Sequence, residues 1–349
     1  MSLLSYSGIT TKVRAMSSHL LSEEQFREMA SLEDVRSAAD YLKKQPAYAE
    51  IFTGLDDTML HRAFIERLLA QSEYRDFSKL YRFSNASQRR FLDLYFAHFE
   101  INMIKRILRN VMASEQAALD LSQFRKFFEK HSSIDFPRLA QSADIQEFIA
   151  NLGSSIYGSA LKDLASSADH PLTLFDLEMR LDLLHISTMW KAKNKSLPKK
   201  EQQIITQSFG PRLDLLNIQW IYRSKKYYSL PAADIYALLI PVNYKLKQDR
   251  IIRLVEADDI AAFFRMLQST YYGKFTDRDL AAVPDLEALY QQILERIYST
   301  NSRRHPYTAA ILDSYLYFKE QEMQKIITTI EGIRYGMDES TILSMVIKH

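Results

Sequence analysis

The stretch DLLNIQWIYRSKKYY, residues 214–228, is apolar around almost its whole circumference when it is drawn as a helix. A closely similar stretch, DLLHISTMWKAKNKS, occupies residues 182–196. Both copies begin with aspartate, and Lys191 in the first aligns with Arg223 in the second. A helix that is apolar on most sides packs deep inside a protein. The repetition therefore predicts two neighbouring helices, joined by a short loop, in one helical hairpin.

Looser copies of the same pattern occur on both sides of this hairpin. FEINMIKRILRN upstream places Glu100 where the central copy has Asp214, and KEQEMQKIITTIEGIRYG downstream places Glu322 there. Each copy ends a predicted pair of long helices. These pairs are 57–80 with 87–112, 172–195 with 203–228, and 286–300 with 305–334.

The spacing between copies, about 110 residues, is too long for a short solenoid repeat. It predicts three related helical domains instead. Their predicted bounds are 1–113, 114–230 and 231–349.

Composition also favours an all-α fold. The 349 residues include only 8 glycines and 9 prolines, whereas all-β folds need many tight turns. Periodicity agrees, since Leu60, Phe64 and Leu68 recur at the spacing of one helical face. The helix that contains residues 214–228 is predicted to begin at Pro211, because proline is favoured at the first helical position. Asp214 would then lie in the first turn, where the helix dipole favours an anion.

Several classes of function are disfavoured. The chain has no cysteine, so thiolate metal sites and cysteine nucleophiles are excluded, and its net charge of +2 offers no excess for nucleic-acid binding. It contains no phosphate-binding glycine loop and no His-Glu-x-x-His motif. We therefore predict no catalytic, cofactor-binding or metal-binding residues. The apolar runs are too short for a transmembrane helix, and the N-terminus does not resemble a signal peptide.

Partner contacts are predicted at exposed bases near helix ends, because loops and helix ends are where partners usually touch. The candidates are the bases Arg223, Lys225, Lys226 and Arg334, together with the adjacent Tyr335. The alternative interpretation is that these charges are solvated and only match the helix dipole.

The C-terminal stretch YFKEQEMQKIITTIEGIRYGMDESTI resembles the last repeat of the C subunit of the V-type and A-type ATPases, which is known as the d subunit in the eukaryotic enzyme. The stretches LDLLNIQWIYRSKKYYSLPAADI and FEINMIKRILRN resemble its second and first repeats. The N-terminal SYSGITTKVRAMSSHLL is similar to the opening segment of the family. Two positions depart from the family pattern: Lys325 replaces a common asparagine, and Asn102 lies one place out of register.

This resemblance implies three helical domains arranged as a funnel with pseudo-threefold symmetry. It implies a non-catalytic central-rotor subunit that connects the central stalk to the proteolipid ring and transmits torque for proton or sodium transport. It also implies a peripheral location on the cytoplasmic face of a membrane, reached only through partner subunits. Whether the complex makes or consumes ATP stays open.

Two other hypotheses remain at this point. One is a helical scaffold or adaptor that binds partner helices or peptides in a groove between modules. The other is a helical enzyme whose site forms only from residues distant in the sequence.

Overall fold

The structure, a computed structural model, describes residues 3–54, 60–113, 121, 124–167, 172–275, 280 and 286–347. All regular secondary structure in these ranges is helical. The predicted all-α class is confirmed. No helix within the described ranges is both long enough and apolar enough to cross a bilayer.

The chain divides into two compact units. The first unit combines residues 1–86 with residues 288–349. Its helices are α1 Leu3–Ser17, α2 Glu23–Ala30, α3 Val35–Lys43, α4 Arg62–Phe83, α15 Leu286–Arg304, α16 Ala310–Arg334 and α17 Glu339–Val346.

The second unit comprises residues 87–287. Its helices are α5 Ala86–Met112, α6 Arg125–His131, α7 Phe136–Ala140, α8 Ile145–Asn151, α9 Ile156–Ser167, α10 Leu174–Ser196, α11 Lys199–Tyr227, α12 Ala232–Leu238, α13 Gln248–Val255 and α14 Ile260–Gln268.

The core of the first unit forms around α16. This helix contacts α1, α2, α3, α4 and α17. Its apolar side chains recur at intervals of three and four residues, and three of them, Met323, Ile326 and Ile330, are buried in one cluster with Met29 and Leu69. Each such buried side chain contributes about 1.5–3 kcal/mol. Packing of an amphipathic face therefore orders the N-terminal helices around the last long helix.

In the second unit, α10 and α11 form the predicted hairpin, joined by two residues, Leu197 and Pro198. The predicted start at Pro211 is wrong, because α11 is continuous over 29 residues and contains this proline. An internal proline costs a helix ~3 kcal/mol. Here the helix is held by packing, since Pro211 and Gly210 are buried, and the ring of Tyr244 fills the space that a side chain on Gly210 would need.

The continuity of α11 also changes the interpretation of Asp214. This aspartate lies in the middle of the helix rather than in its first turn. The dipole effect is confined to the terminal turns of a helix. The predicted role of Asp214, to complement the helix dipole, is therefore wrong.

Candidate functional site

Asp214, the acid of the opening repeat, is fully buried and accepts four hydrogen bonds. The backbone N–H groups of Tyr244, Lys245 and Leu246 donate to its carboxylate at 3.1, 2.6 and 2.8 Å. The hydroxyl of Tyr272 donates at 2.7 Å. Burial raises the pKa of Asp214, and the donated hydrogen bonds oppose that rise. Burial and the adjacent carboxylate raise the pKa of Tyr272, so this tyrosine remains a neutral donor.

Asn217 lies one turn after Asp214 and is equally buried. Its side-chain amide donates to the carbonyl of Ile240 at 3.1 Å and accepts from the N–H of the same residue at 2.8 Å. Together the two side chains fasten the irregular segment 240–246 to α11. The polar atoms of both side chains form hydrogen bonds inside the protein, so this part of the repeat has a structural role.

Glu322 is the corresponding acid on α16, and it is also buried. Its carboxylate accepts from the Tyr48 hydroxyl at 2.5 Å, the Leu21 N–H at 2.6 Å and the Lys319 ammonium at 2.9 Å. Lys319 is itself 0% exposed, lies 4.2 Å from the centre of the Tyr48 ring and donates to its hydroxyl at 2.7 Å. Burial, and then the charge of Glu322, raise the pKa of Tyr48 well above its usual value.

Glu100 is the third acid of the repeat, on α5. It accepts a hydrogen bond from the Tyr157 hydroxyl at 2.8 Å and another from the hydroxyl of Ser132. Burial, followed by the charge of Glu100, raises the pKa of Tyr157. Each of the three acids is therefore bound by a tyrosine hydroxyl. We call these three hydrogen bonds, Glu100–Tyr157, Asp214–Tyr272 and Glu322–Tyr48, the acid–tyrosine ties.

The tyrosines of these ties were missed by the reasoning from sequence, although a signal exists. Each follows, by 13 or 14 residues, an aspartate that caps a short helix. The capping carboxylate accepts from the N–H three residues later in each case, as expected for an N-cap. The aspartates are Asp34, Asp144 and Asp259.

The predicted contact residues Arg223, Lys225 and Lys226 lie together in the last two turns of α11. Arg223 is half exposed, and its guanidinium lies 3.6 Å from the carboxylate of Glu287. The ammonium of Lys225 donates to the carbonyl of Ala257 at 2.8 Å. Lys226 is exposed, and its ammonium lies 2.6 Å from the hydroxyl of Tyr222. Arg223 and Lys226 thus remain accessible to solvent, whereas Lys225 also ties α11 to the loop before α14.

Arg334 and Tyr335 stand at the end of α16. Arg334 donates to Glu331 at 3.0 Å and to the carbonyl of Leu60 at 2.7 Å, so it joins α16 to the segment just before α4. Tyr335 is 69% exposed. Of these two predicted contact residues, the arginine has a clear internal role, while the tyrosine presents its ring to solvent.

The glycines beside them explain the EGIRYG stretch. Gly336 has φ +64°, the left-handed conformation that favours glycine. Its N–H bonds to the carbonyl of Ile333, and the N–H of Met337 bonds to the carbonyl of Gly332, both at 3.0 Å. This is the Schellman pattern that ends a helix. Gly332 lets Ile342 of α17 approach so closely that a Cβ would lie 2.6 Å from its Cγ1.

Residues 9–345 match the family described as ATP synthase (C/AC39) subunit. The chain belongs to this family. It is similar to the A-type ATP synthase C subunit of Methanothermobacter thermautotrophicus, with 22% identity over 341 residues, covering 96% of this chain and 86% of that protein.

Two further relatives are also described as the C subunit of an A-type ATP synthase. The Methanobrevibacter smithii protein is 23% identical over 348 residues, covering 97% of this chain and 87% of the relative. The Thermococcus kodakarensis protein is 22% identical over 351 residues, covering 98% and 90%.

The stretches that resemble the C/AC39 family contain residues that form hydrogen bonds inside the chain or end a helix. EGIRYG ends α16, DLLN supplies Asp214 and Asn217, and FEIN supplies Glu100. The described residues contain no group of three acids or histidines that could hold a metal ion.

Proposed function

We propose that this member of the ATP synthase (C/AC39) subunit family is the non-catalytic part that connects the central stalk of a rotary ATPase to its proteolipid ring. The match over residues 9–345 carries this proposal, together with the relatives described as the C subunit of an A-type ATP synthase. In this role the chain binds no cofactor and transmits torque between ATP chemistry and ion transport. It lies on the cytoplasmic face of the membrane, where its partners hold it.

A part that transmits torque must resist twisting, and two features of the chain support this. Long helices provide stiff elements, since the 29 residues of α11 extend over roughly 43 Å. Buried charged hydrogen bonds then fix the short helices to the long ones. The Tyr48 hydroxyl bonds to both charged groups of the buried Lys319–Glu322 pair on α16. A buried polar group left without its partner costs about 1–3 kcal/mol, so slippage of the Tyr48 segment along α16 is opposed.

We also propose that the chain consists of three related modules with pseudo-threefold symmetry, arranged as a funnel. The acid–tyrosine ties support the threefold relation between the modules. Each predicted third, 1–113, 114–230 and 231–349, contains one of the three acids and one of the three tyrosines. The acid of each third bonds to the tyrosine of the following third, and the last acid bonds to the tyrosine of the first.

A reconstitution experiment tests the connecting role. The full-length chain would be mixed with separately purified central-stalk subunits and with the detergent-solubilised proteolipid ring of the same enzyme. We expect stalk and ring to co-purify only when the chain is present. Binding to one partner without bridging would favour the adaptor hypothesis, and binding to neither would refute the proposal.

A further inference from the structure

A cluster of buried charged side chains lies where α4 packs against α16 in the first unit. Its acids are Glu73 and Asp76 on α4 and Glu322 on α16, and all three are buried. Among the described residues of the first unit, Lys319 is the one basic side chain that is buried to the same degree. Three carboxyl groups therefore stand against a single ammonium in a part of the core that water does not reach.

Two of the three acids have hydrogen-bond donors. The Tyr315 hydroxyl donates to Asp76 at 2.6 Å, and the ammonium of Lys79 donates to the same carboxylate at 3.1 Å. Glu322 accepts from Lys319 and from the two other donors described above. Donors of this kind offset the cost of removing a carboxylate from water.

Glu73 is the exception in this cluster. Its side chain is only 6% exposed, its Oε1 atom is buried, and no described residue forms a hydrogen bond with that atom. The Lys319 ammonium donates to Glu322 and to Tyr48, and the Tyr315 hydroxyl, which also faces Glu73, donates to Asp76. A buried carboxyl group without a donor is very costly as an anion, so it binds a proton instead.

The charges around Glu73 favour the same neutral form. Burial, followed by the charge of Glu320 on α16, raises the pKa of Glu73 well above its usual value. The charge of Lys319 opposes this rise only in part, and the charge of Asp76 on α4 adds to it. Both helices that form the interface therefore present negative charge to Glu73.

The helix α1 also packs against α4, but its bases lie elsewhere. The ammonium of Lys12 lies over the ring of Phe83 at the far end of α4, 5.1 Å from the ring centre. Arg14 is exposed. Neither base is among the charges that act on Glu73.

We propose that Glu73 carries a proton in the folded chain and that this proton keeps α4 packed against α16. When the proton leaves for the solvent, an ionised carboxylate without a donor remains at the interface, and its cost is relieved when water enters between the two helices. Alkaline solution therefore loosens this part of the core. The inference concerns the first unit alone and does not depend on the proposed function.

Urea unfolding of the full-length chain at a series of pH values tests the proposal. Glu73→Gln replaces a protonated carboxyl group by a neutral amide of nearly the same shape, so this variant has no proton to lose. Above pH ~5 the unfolded wild-type chain has released the proton that the folded chain still holds. We expect the unfolding equilibrium constant of the wild-type chain, divided by that of Glu73→Gln, to rise about tenfold per pH unit until folded Glu73 ionises.

Glu66→Gln is the matched control. Glu66 lies two turns earlier on the same helix, and its side chain is 40% exposed and paired with Arg62. The same ratio, taken with this variant, should not change with pH. A ratio for Glu73→Gln that is equally independent of pH would overturn the proposal, because Glu73 would then be ionised and solvated by a buried water.

Infrared spectroscopy detects the proton in the folded chain without any substitution. At neutral pH we expect the carbonyl band of a protonated carboxyl group, which isotope-labelled glutamate shifts and isotope-labelled aspartate does not. Absence of this band from the wild-type chain, or its persistence in Glu73→Gln, would overturn the proposal.

Amide hydrogen exchange tests the loosening of α4. As the pH rises, protection of the α4 amides, corrected for the intrinsic effect of pH on exchange, should fall in the wild-type chain and stay constant in Glu73→Gln. Equal protection in the two chains at every pH would show that the proton does not control the packing of α4 against α16.

Discussion

The hydroxyl of Tyr272 lies 2.7 Å from a carboxylate oxygen of Asp214, and the two residues are 58 positions apart in the sequence. This carboxylate is fully buried, and the donors that the structure gives it are three backbone N–H groups and this hydroxyl. A buried carboxylate without such donors would carry a large desolvation cost. The hydrogen bond from Tyr272 therefore offsets part of the cost of burying the Asp214 carboxylate in the core.

Removing that hydroxyl should destabilise the second compact unit. A hydrogen bond to a charged group contributes about 1.5–3 kcal/mol, so we expect Tyr272→Phe to lower the free energy of unfolding by that amount. Tyr271→Phe is the adjacent control, because Tyr271 is 43% exposed. Urea unfolding followed by circular dichroism measures both variants. Equal midpoints for the two would contradict a special role for the Asp214–Tyr272 tie.

Breaking the Lys319–Glu322 pair should likewise destabilise the first unit. Lys319→Met leaves the buried carboxylate without its cation and should cost about 3–5 kcal/mol. Lys325→Met, on the same helix but with a long, partly exposed pair to Glu295, should cost less than ~1 kcal/mol.

The double variant Lys319→Met/Glu322→Gln isolates the charge of Glu322. It should recover part of the loss, because the unpaired charge is gone. A double variant less stable than Lys319→Met alone would show that packing, and not charge, is the cause.

Gly332→Ala should destabilise the contact between α16 and α17. The new Cβ would lie 2.6 Å from Cγ1 of Ile342, and such overpacking costs about 1–3 kcal/mol, more than the gain of ~1 kcal/mol that alanine brings to a helix. Gly8→Ala is the control, since no atom lies within 4 Å of its added Cβ. This second variant should be stabilised by about 0.5–1 kcal/mol, and thermal unfolding distinguishes the two signs.

His185 should make stability depend on pH. Burial, with His98, Arg212 and Lys105 nearby, lowers its pKa to about 3. Between pH ~6.5 and ~3, His185 is protonated in the unfolded chain but not in the folded chain. The free energy of unfolding therefore falls as the pH falls. We expect His185→Gln to reduce the slope of the free energy of unfolding against pH by up to ~1.4 kcal/mol per pH unit. His19→Gln, at an exposed histidine, serves as the control, and an unchanged slope in His185→Gln would contradict the prediction.

Periodicity was sufficient to predict the long helices, the α10–α11 hairpin and the all-α class, because these follow from local spacing of apolar residues. The predicted helix start at Pro211 was wrong, because the local cost of a proline inside a helix is outweighed by the packing of buried residues, which only the tertiary structure supplies. The family was recognised from stretches whose order and spacing persist along the chain.

The acid–tyrosine ties lay beyond that reasoning for a different reason. Glu322 and Tyr48 are 274 positions apart, and nothing in helical periodicity joins them. The spacing between each capping aspartate and its tyrosine was visible in the sequence, but its meaning depended on which long helix each short helix meets.

Ion transport by the assembled enzyme tests the central claim most directly. The complete rotary ATPase and a complex reassembled without this chain would be placed in liposomes, and ATP hydrolysis and ion flux measured together. We expect the complex without the chain to hydrolyse ATP but to move no ions, and addition of the chain to restore flux. Equal ion flux per ATP with and without the chain would contradict the proposed coupling role.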